Sequence, residues 1–231
     1  NSGLQVPDLT ISPAVGYEKY FTKYVNIFGI PIYATSSSSD AKVLHAANVL
    51  AQYLDNNADG IPDNPLVVEK LKETNSAIPF FANEWEDETS KIWNDFSDVE
   101  LNCWIALYAD ETNPRNQFDA SLEEILHLIT DKGYSTAYPN IFGSNKGTEI
   151  ANLMDKARGG YFENVPDKYP DSAWYTYEDD SCEYDCQIEE YLYWGIITIL
   201  KPEWKDRSMD LNKEWKIRKS DGSLMTLEER D

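Results

Sequence analysis

The stretch Ser121-Leu122-Glu123-Glu124-Ile125-Leu126-His127-Leu128-Ile129-Thr130 decides how the fold of this chain is interpreted. Its apolar residues recur at helical spacing, at Leu122, Ile125, Leu126 and Ile129, which predicts a helix over residues 121–130. Residues four apart project from one face of a helix, so Glu123 and His127 can hold one metal ion with Glu124 beside them. The usual zinc motif has His where this chain has Glu123, and a Glu/His pair is a harder and weaker zinc site.

The same residues also allow interpretations without a zinc centre. Ser121 and Glu124 have the spacing of a capping box, in which Glu124 only bonds the helix N-terminus and His127 is a partly buried core residue. Glu124 and His127 also form the Glu-x-x-His unit of di-iron carboxylate sites, but such sites pair two units and this sequence has one. The second histidine, His45, lies alone on a predicted helix, where a His is more often a satisfied interior or surface residue than a ligand.

Earlier in the chain, the loop Asp55-Asn56-Asn57-Ala58-Asp59-Gly60-Ile61-Pro62-Asp63 has the spacing of a calcium-binding loop. Side-chain oxygens at positions 1, 3, 5 and 9 and a backbone carbonyl at position 7 would bind the ion, from Asp55, Asn57, Asp59, Asp63 and Ile61. Gly60 stands at position 6, where the chain must turn sharply. At position 12 Leu66 replaces the usual Glu, so Glu69 or water must complete the shell. An Asx-rich turn without metal is the alternative.

Helices should flank this loop, over residues 40–54 and from Pro65 in a first turn to about Glu73. Strands are predicted at residues 25–34, with an edge or bend around Gly29 and Pro31, and at residues 78–81 and 101–108. Further helices are predicted at residues 148–157, ended by Gly159 and Gly160, and at residues 189–200. No repeats and no domain boundary are visible, so we expect one domain over residues 1–231 with an α+β fold, a small mixed sheet and several helices.

The net charge of −21, from 41 acidic against 20 basic residues, limits the partners of this chain. A surface this negative repels nucleic-acid phosphates and anionic membranes, whereas divalent cations and cationic substrates fit it. No apolar run reaches the roughly 18 residues that a membrane span needs. We therefore expect no nucleic-acid partner and no membrane span.

Cysteine usage and the first residues favour an exported protein. Cys182 and Cys186 are four positions apart in an acidic stretch, close enough for a small disulfide ring, whereas Cys103 in an apolar run favours a buried free thiol. The chain opens with Asn1-Ser2-Gly3 rather than Met, as a mature product does after loss of a signal peptide, although a trimmed chain would look the same. A secreted, periplasmic or extracellular location is expected.

The order of a strand, a metal-binding helix, a long excursion and a later helix that opens with Glu190-Tyr191-Leu192 resembles the gluzincin zinc proteases, among them the catalytic domain of anthrax lethal factor. The resemblance implies a zincin-like fold, Glu123, His127 and Glu190 as metal ligands, and Glu124 as general base. Glu149 and Glu189 are alternative third ligands. The phenol that often stabilises the oxyanion in such enzymes would come from the aromatic loop before the later helix, from Tyr175, Tyr177 or Tyr184.

The chain as a whole is also similar to a family of uncharacterised exported proteins, a resemblance that covers about 170 residues and implies no activity. It rests on four segments, Val43-Leu44-His45-Ala46-Ala47, Tyr53-Leu54-Asp55 with its Asp-Gly loop, Glu123-Glu124 with Leu126-His127, and Glu190-Tyr191-Leu192-Tyr193-Trp194. Two hypotheses follow. One is a secreted, calcium-stabilised metallohydrolase that acts on a peptide or protein with zinc or another divalent transition metal, and the other is a non-catalytic protein that binds metal or a partner on a zincin-like scaffold.

Overall fold

The structure is a computed structural model, which describes residues 5–11, 19–85, 87–96, 103–115, 117–200 and 213–223, together with Met225 and Glu229. The predicted α+β class is confirmed, since several helices accompany a small mixed sheet. The chain forms two compact units, Asn1–Gly133 and Tyr134–Asp231. The single domain over residues 1–231 stays a prediction, and the opening residues Asn1, Ser2 and Gly3 lie outside the described part of the chain.

The first unit is built on a sheet whose four strands lie in the order β1-β2-β3-β4. Strands β1 (Phe21–Ile27) and β2 (Ile30–Thr35) pair antiparallel, and β3 (Ile78–Phe81) and β4 (Leu107–Tyr108) follow in parallel. The prediction of one bent strand over residues 25–34 is wrong, because these residues form most of a hairpin. Phe28 and Gly29 turn the chain with φ of 51° and 96°, the backbone that a two-residue hairpin turn needs. Apart from Gly29, the residues at and around this turn are apolar, so the sequence lacks the polar residues that usually mark a hairpin turn.

The last predicted strand is also shorter than expected. Within residues 103–108, only Leu107 and Tyr108 pair with β3 in a ladder, and Trp104 makes a single bridge to Ala77. Residues 101–102 lie outside the described part. On the side of β3 that faces β4, only Phe80 and Phe81 of its four residues take part in the ladder.

Two helices cross from β2 to β3 and carry the predicted calcium loop between them. They are α1 (Asp40–Leu54) and α2 (Pro65–Glu73), and both bounds match the prediction. Val43, Ala47 and Leu50 recur on one face of α1 and are fully buried, which is the pattern of a helix packed on a core. A further helix, α3 (Asp87–Asp95), precedes β4.

The helix with the Glu-Glu-x-x-His pattern is α4 (Ala120–Leu128). It is shorter than the predicted helix, because a π-helical turn, Ile129–Tyr134, replaces the α-helical geometry after Leu128. Gly133 in this turn lies against α2, where an added Cβ would be 2.7 Å from Cγ1 of Val67. The wider turn thus ends where the chain must pass close to α2.

The second unit contains helices α5 (Ser135–Ala137), α6 (Pro139–Phe142), α7 (Glu149–Arg158) and α8 (Tyr184–Leu200). Thr148 caps α7 through the N–H of Ala151, and Gly159 ends it at φ 80°, both as the sequence predicts. Arg158 is fully buried and donates to Gln187 of α8 and to Asp155.

Helix α8 begins at Tyr184, five residues before the predicted start at Glu189. The predicted disulfide between Cys182 and Cys186 is present, and it joins the residues just before and inside the first turn. The carbonyl of Cys182 also accepts a hydrogen bond from the Gln187 side chain at 2.8 Å. These two links hold an acidic stretch in helical geometry that its composition alone does not predict. Cys103 lies outside the disulfide, as predicted, and is half-buried rather than buried.

Candidate metal centre

Three of the predicted metal ligands lie together. One ligand atom from each of Glu123, His127 and Glu190 lies within 4.8 Å of the other two, and His127 is buried while both Glu residues are half-buried. Within the described part of the chain this is the one group of His, Cys, Asp and Glu side chains with such geometry. Ligand atoms of a tetrahedral zinc ion lie about 3.4 Å apart, from metal distances of about 2.0 to 2.1 Å. Small side-chain movements would therefore bring the three atoms onto one ion, and the cluster could hold a metal ion.

The first two residues of the cluster are placed by α4. Glu123 and His127 are four residues apart and therefore share one face of the helix. The predicted capping box is wrong, because Asp119 and not Ser121 caps the helix. The Asp119 carboxylate accepts hydrogen bonds from the N–H and the hydroxyl of Ser121, at 3.1 and 2.6 Å. An ionised side chain here also suits the positive end of the helix dipole.

Glu190 belongs to α8, one turn after the disulfide. Cys186 and Glu190 are four residues apart, so the crosslinked turn and the carboxylate follow each other on the helix. Of the two alternatives for a third ligand, Glu149 lies exposed at the start of α7 and Glu189 precedes Glu190 on α8; neither belongs to the cluster.

The three candidate tyrosines have different hydrogen-bond partners. Tyr177 bonds the side chain of Glu190, and burial together with the charges of Glu190 and Glu214 and this bond raises the pKa of Tyr177 well above its ordinary value. Tyr175 is fully buried and donates to the carbonyl of Gln187, and Tyr184 donates to Asp155. Tyr177 is thus the candidate whose hydroxyl contacts a member of the cluster.

Glu124 is half-buried beside the cluster residues on α4 and lies near the edge strand β4. Burial, together with the charges of Glu84, Glu111 and Glu124, raises the pKa of Tyr108. The charge of Glu124 is the weakest of these influences on Tyr108.

The loop Asp55–Asp63 is held by its own hydrogen bonds. The buried Asp55 carboxylate accepts from the N–H groups of Asp59 and Gly60, at 3.2 and 2.7 Å. Asn57 accepts from the N–H of Asp59, and Asp59 accepts from the N–H of Ile61. These bonds turn side-chain oxygens of positions 1, 3 and 5 toward the inside of one tight turn.

The remaining loop positions are arranged differently. Asp63 accepts from the N–H and the side-chain amide of Asn56, at 2.9 and 3.0 Å, and its own N–H bonds the carbonyl of Leu54. Gly60 has φ 87°, which explains why this position needs glycine. The side chain of Ile61 is exposed. In the predicted site, Ile61 contributes only its backbone carbonyl.

Sequence reasoning missed the contacts that hold α4 from outside. Asp119 accepts a hydrogen bond from His45 at 2.6 Å, and the Tyr53 hydroxyl donates to the carbonyl of Leu122 at 3.0 Å. An Asp just before a predicted helix is a capping signal that the sequence does carry. The pairing with His45, 74 positions away, has no such signal.

Comparison of the chain with protein-family models, with curated proteins and with solved structures finds no match.

Proposed function

We propose that this chain is an exported metal-dependent hydrolase with peptidase-like chemistry on a zincin-like scaffold. The observation that carries the proposal is the cluster of Glu123, His127 and Glu190. Two carboxylates at this separation repel, and Glu123, Glu190 and the imidazole of His127 would hold a divalent cation whose charge offsets that repulsion. The donor set suits zinc or a harder divalent transition metal.

A bound ion supplies Lewis-acid activation of a water molecule and of a substrate carbonyl. Glu124 would accept one proton of that water while the water oxygen adds to the carbonyl carbon of the peptide, and would return the proton to the amine nitrogen as the C–N bond breaks. Tyr177 orients the Glu190 carboxylate by its hydrogen bond, and its phenol is the group that can turn to a developing oxyanion. A peptide or protein substrate fits these roles.

The loop Asp55–Asp63 is proposed as a calcium site that stabilises the fold. Its oxygens follow the spacing of Asp55, Asn57 and Asp59, with Asp63 at position 9 and the carbonyl of Ile61 at position 7. An oxygen that already accepts one N–H keeps a second lone pair, so the internal hydrogen bonds leave room for a cation. Calcium would then fix the turn between α1 and α2 and add stability by linkage.

Export is supported by the disulfide between Cys182 and Cys186, since such bonds persist in oxidising compartments. Within the described residues no helix has the length and apolarity needed to cross a membrane. Calcium at a weak, incomplete loop also fits a compartment in which calcium is plentiful.

A second candidate is a non-catalytic protein that binds metal or a partner on the same scaffold. The donor set favours it, because Glu123 occupies the position of a zinc-binding His and two carboxylates make a harder site than zinc enzymes use. In that case the cluster would hold a structural ion, and Glu124 would have no proton to move.

Elemental analysis of protein purified without added metal tests the proposal. One equivalent of a transition metal in the parent protein that is lost in His127→Ala, with folding retained by circular dichroism, is the expected result. A peptide-library cleavage assay then separates the hydrolase from the non-catalytic protein. Calcium as the sole bound ion would overturn the metal centre, and a stoichiometric metal without any cleavage would favour the second candidate.

A further inference from the structure

We propose that His45 and Tyr53 are positioning residues, which hold the first turn of α4 and thereby set the place of Glu123 in the metal centre. This inference rests on the proposed metal site and adds two residues of α1 to it. The sequence offered His45 as an isolated histidine and gave Tyr53 no role.

His45 acts on the cap of α4. Its Nε2 lies 2.6 Å from the carboxylate of Asp119, whose other oxygen accepts from the backbone of Asn113 and Ser121. Burial opposes the charge on Asp119, but these hydrogen bonds and the one from His45 outweigh it, so the pKa of Asp119 lies below its ordinary value. Asp119 is therefore an acceptor, and Nε2 of His45 carries the proton of the bond.

Tyr53 acts on the backbone of the same turn. Its hydroxyl donates to the carbonyl of Leu122 at 3.0 Å, directly before Glu123 in the chain. Burial, together with the charge of Asp119, raises the pKa of Tyr53 to about 12, which keeps the hydroxyl protonated as a donor. A carbonyl has two lone pairs, so Leu122 can accept this bond and its helical bond together.

The two contacts belong to one surface of α1. His45, Val49 and Tyr53 are spaced four residues apart and follow one another along the same side of the helix. Val49, between them, is buried. His45 and Tyr53, on either side of it, hydrogen-bond Asp119 and the carbonyl of Leu122. A helix held by its cap and by a first-turn carbonyl cannot slide or rotate without breaking a part-buried hydrogen bond. Glu123 is the cluster residue that lies in this first turn.

The test measures zinc affinity and the visible spectrum of bound Co²⁺ in four proteins, the parent, His45→Phe, Tyr53→Phe and His45→Gln. Phenylalanine keeps the ring of each residue and removes the donor. Gln in place of His45 keeps an N–H donor at similar reach and serves as the matched control. Unfolding in urea and amide exchange in α4 and α7 show whether each variant is folded and which helix is affected.

Both Phe variants should bind zinc about tenfold more weakly, the lower end of the range for groups that contact a metal ligand directly, because His45 and Tyr53 act through the first turn of α4. They should also shift the Co²⁺ spectrum and speed amide exchange in α4 but not in α7, and His45→Gln should restore the parent values. Folded Phe variants that keep zinc affinity within twofold and an unchanged Co²⁺ spectrum overturn the positioning role. A parent protein that binds neither metal overturns the proposed metal centre itself, and the positioning role with it.

Discussion

Gly133 approaches Val67 so closely that a Cβ on the glycine would lie 2.7 Å from Cγ1 of the valine. Val67 is buried and β-branched, and its rotamer cannot change freely to make room. The contact joins the π-helical turn that follows α4 to α2, which follows the loop Asp55–Asp63. The first turn of α4 is held by His45 and Tyr53 of α1, and the π-helical turn after α4 packs against Val67 of α2.

Replacing Gly133 by Ala should destabilise the fold. The overlap with Val67 and with Leu71, at 3.2 Å, should cost about 1 to 3 kcal/mol, more than the gain from the better helix propensity of Ala. The free energy of unfolding in urea measures it. Gly160→Ala is the control, since an added Cβ there meets only ordinary contacts at 3.6 Å or more and should change stability by less than about 0.5 kcal/mol. Equal stability of the two variants would contradict the close packing of Gly133.

Glu124→Gln should remove hydrolysis and leave the metal bound. The amide keeps the shape of the side chain but cannot accept a proton, so we expect the rate to fall by about 10² to 10⁴. Cleavage of a library-derived peptide and metal content are measured on the same preparation. Glu163→Gln, an exposed change outside the cluster, should keep full activity. Hydrolysis that survives Glu124→Gln would remove Glu124 from the proposed role.

Calcium should raise the thermal stability of the parent protein but not of Asp59→Asn. Asp59 supplies the oxygen of position 5, and its loss weakens the site while the hydrogen bond to Ile61 can persist through the Asn oxygen. Calcium at about a hundred times its dissociation constant should add about 2.7 kcal/mol to the stability of the parent. Melting temperatures in calcium and in a chelator measure the difference.

Asp221→Asn is the matched control for the test of calcium binding by the loop Asp55–Asp63. Asp221 makes a similar turn with Ser223 on an exposed segment, so its variant should respond to calcium as the parent does. A parent melting temperature that is the same in calcium and in chelator would assign the loop Asp55–Asp63 to an Asx-rich turn without metal.

Asp119→Ala should destabilise the protein at neutral pH and much less in acid. The pKa of Asp119 is lowered in the folded chain, so its ionised form stabilises the fold above its unfolded pKa, and this stabilisation disappears as pH falls through the folded value. We expect a loss of about 1 to 2 kcal/mol at pH 7, as for other helix caps. The difference from the parent should shrink below about pH 4.

Urea unfolding at a series of pH values measures the effect of Asp119→Ala. Ser39→Ala is the control, because Ser39 is the cap residue of α1 and makes no side-chain cap bond. Ser39→Ala should change the free energy of unfolding little at any pH. If Asp119→Ala lowered the free energy of unfolding by the same amount at pH 7 and at pH 3, the charge of Asp119 would contribute nothing to stability.

Local signals in the sequence predicted the elements that depend on neighbouring residues. Pro65 and the spacing of apolar residues fixed both bounds of α1 and α2, and the spacing of Cys182 and Cys186 allowed a ring that the structure contains. The α+β class follows from the same short-range patterns, which mark the separate helices and strands. The grouping of Glu123 with His127 follows from helix geometry, because a helix places residues four apart on one face.

Features that depend on distant residues could not be predicted in the same way. Glu190 was predicted as the third member of the cluster only through a family resemblance, with Glu149 and Glu189 as alternatives, since the choice depends on how α7 and α8 pack. The turn at Phe28 and Gly29 was hidden because apolar residues flank it on both sides. The capping-box spacing of Ser121 and Glu124 offered one alternative for the start of α4, but Asp119 provides a charged acceptor two residues earlier.

The parallel pairing of β2 with β3 has a consequence for how fast the first unit folds. Ile32 meets Ile78 in the ladder, so the intervening chain, with both helices and the loop Asp55–Asp63, must be arranged before the strands can join. Closing such a segment is slow when its middle is unstructured, because the entropy of closure is lost before any strand contact forms. We expect a turn that is held by its own hydrogen bonds to shorten the unstructured segment that has to close. Changes in this loop should therefore alter the rate of folding as well as the stability of the folded chain.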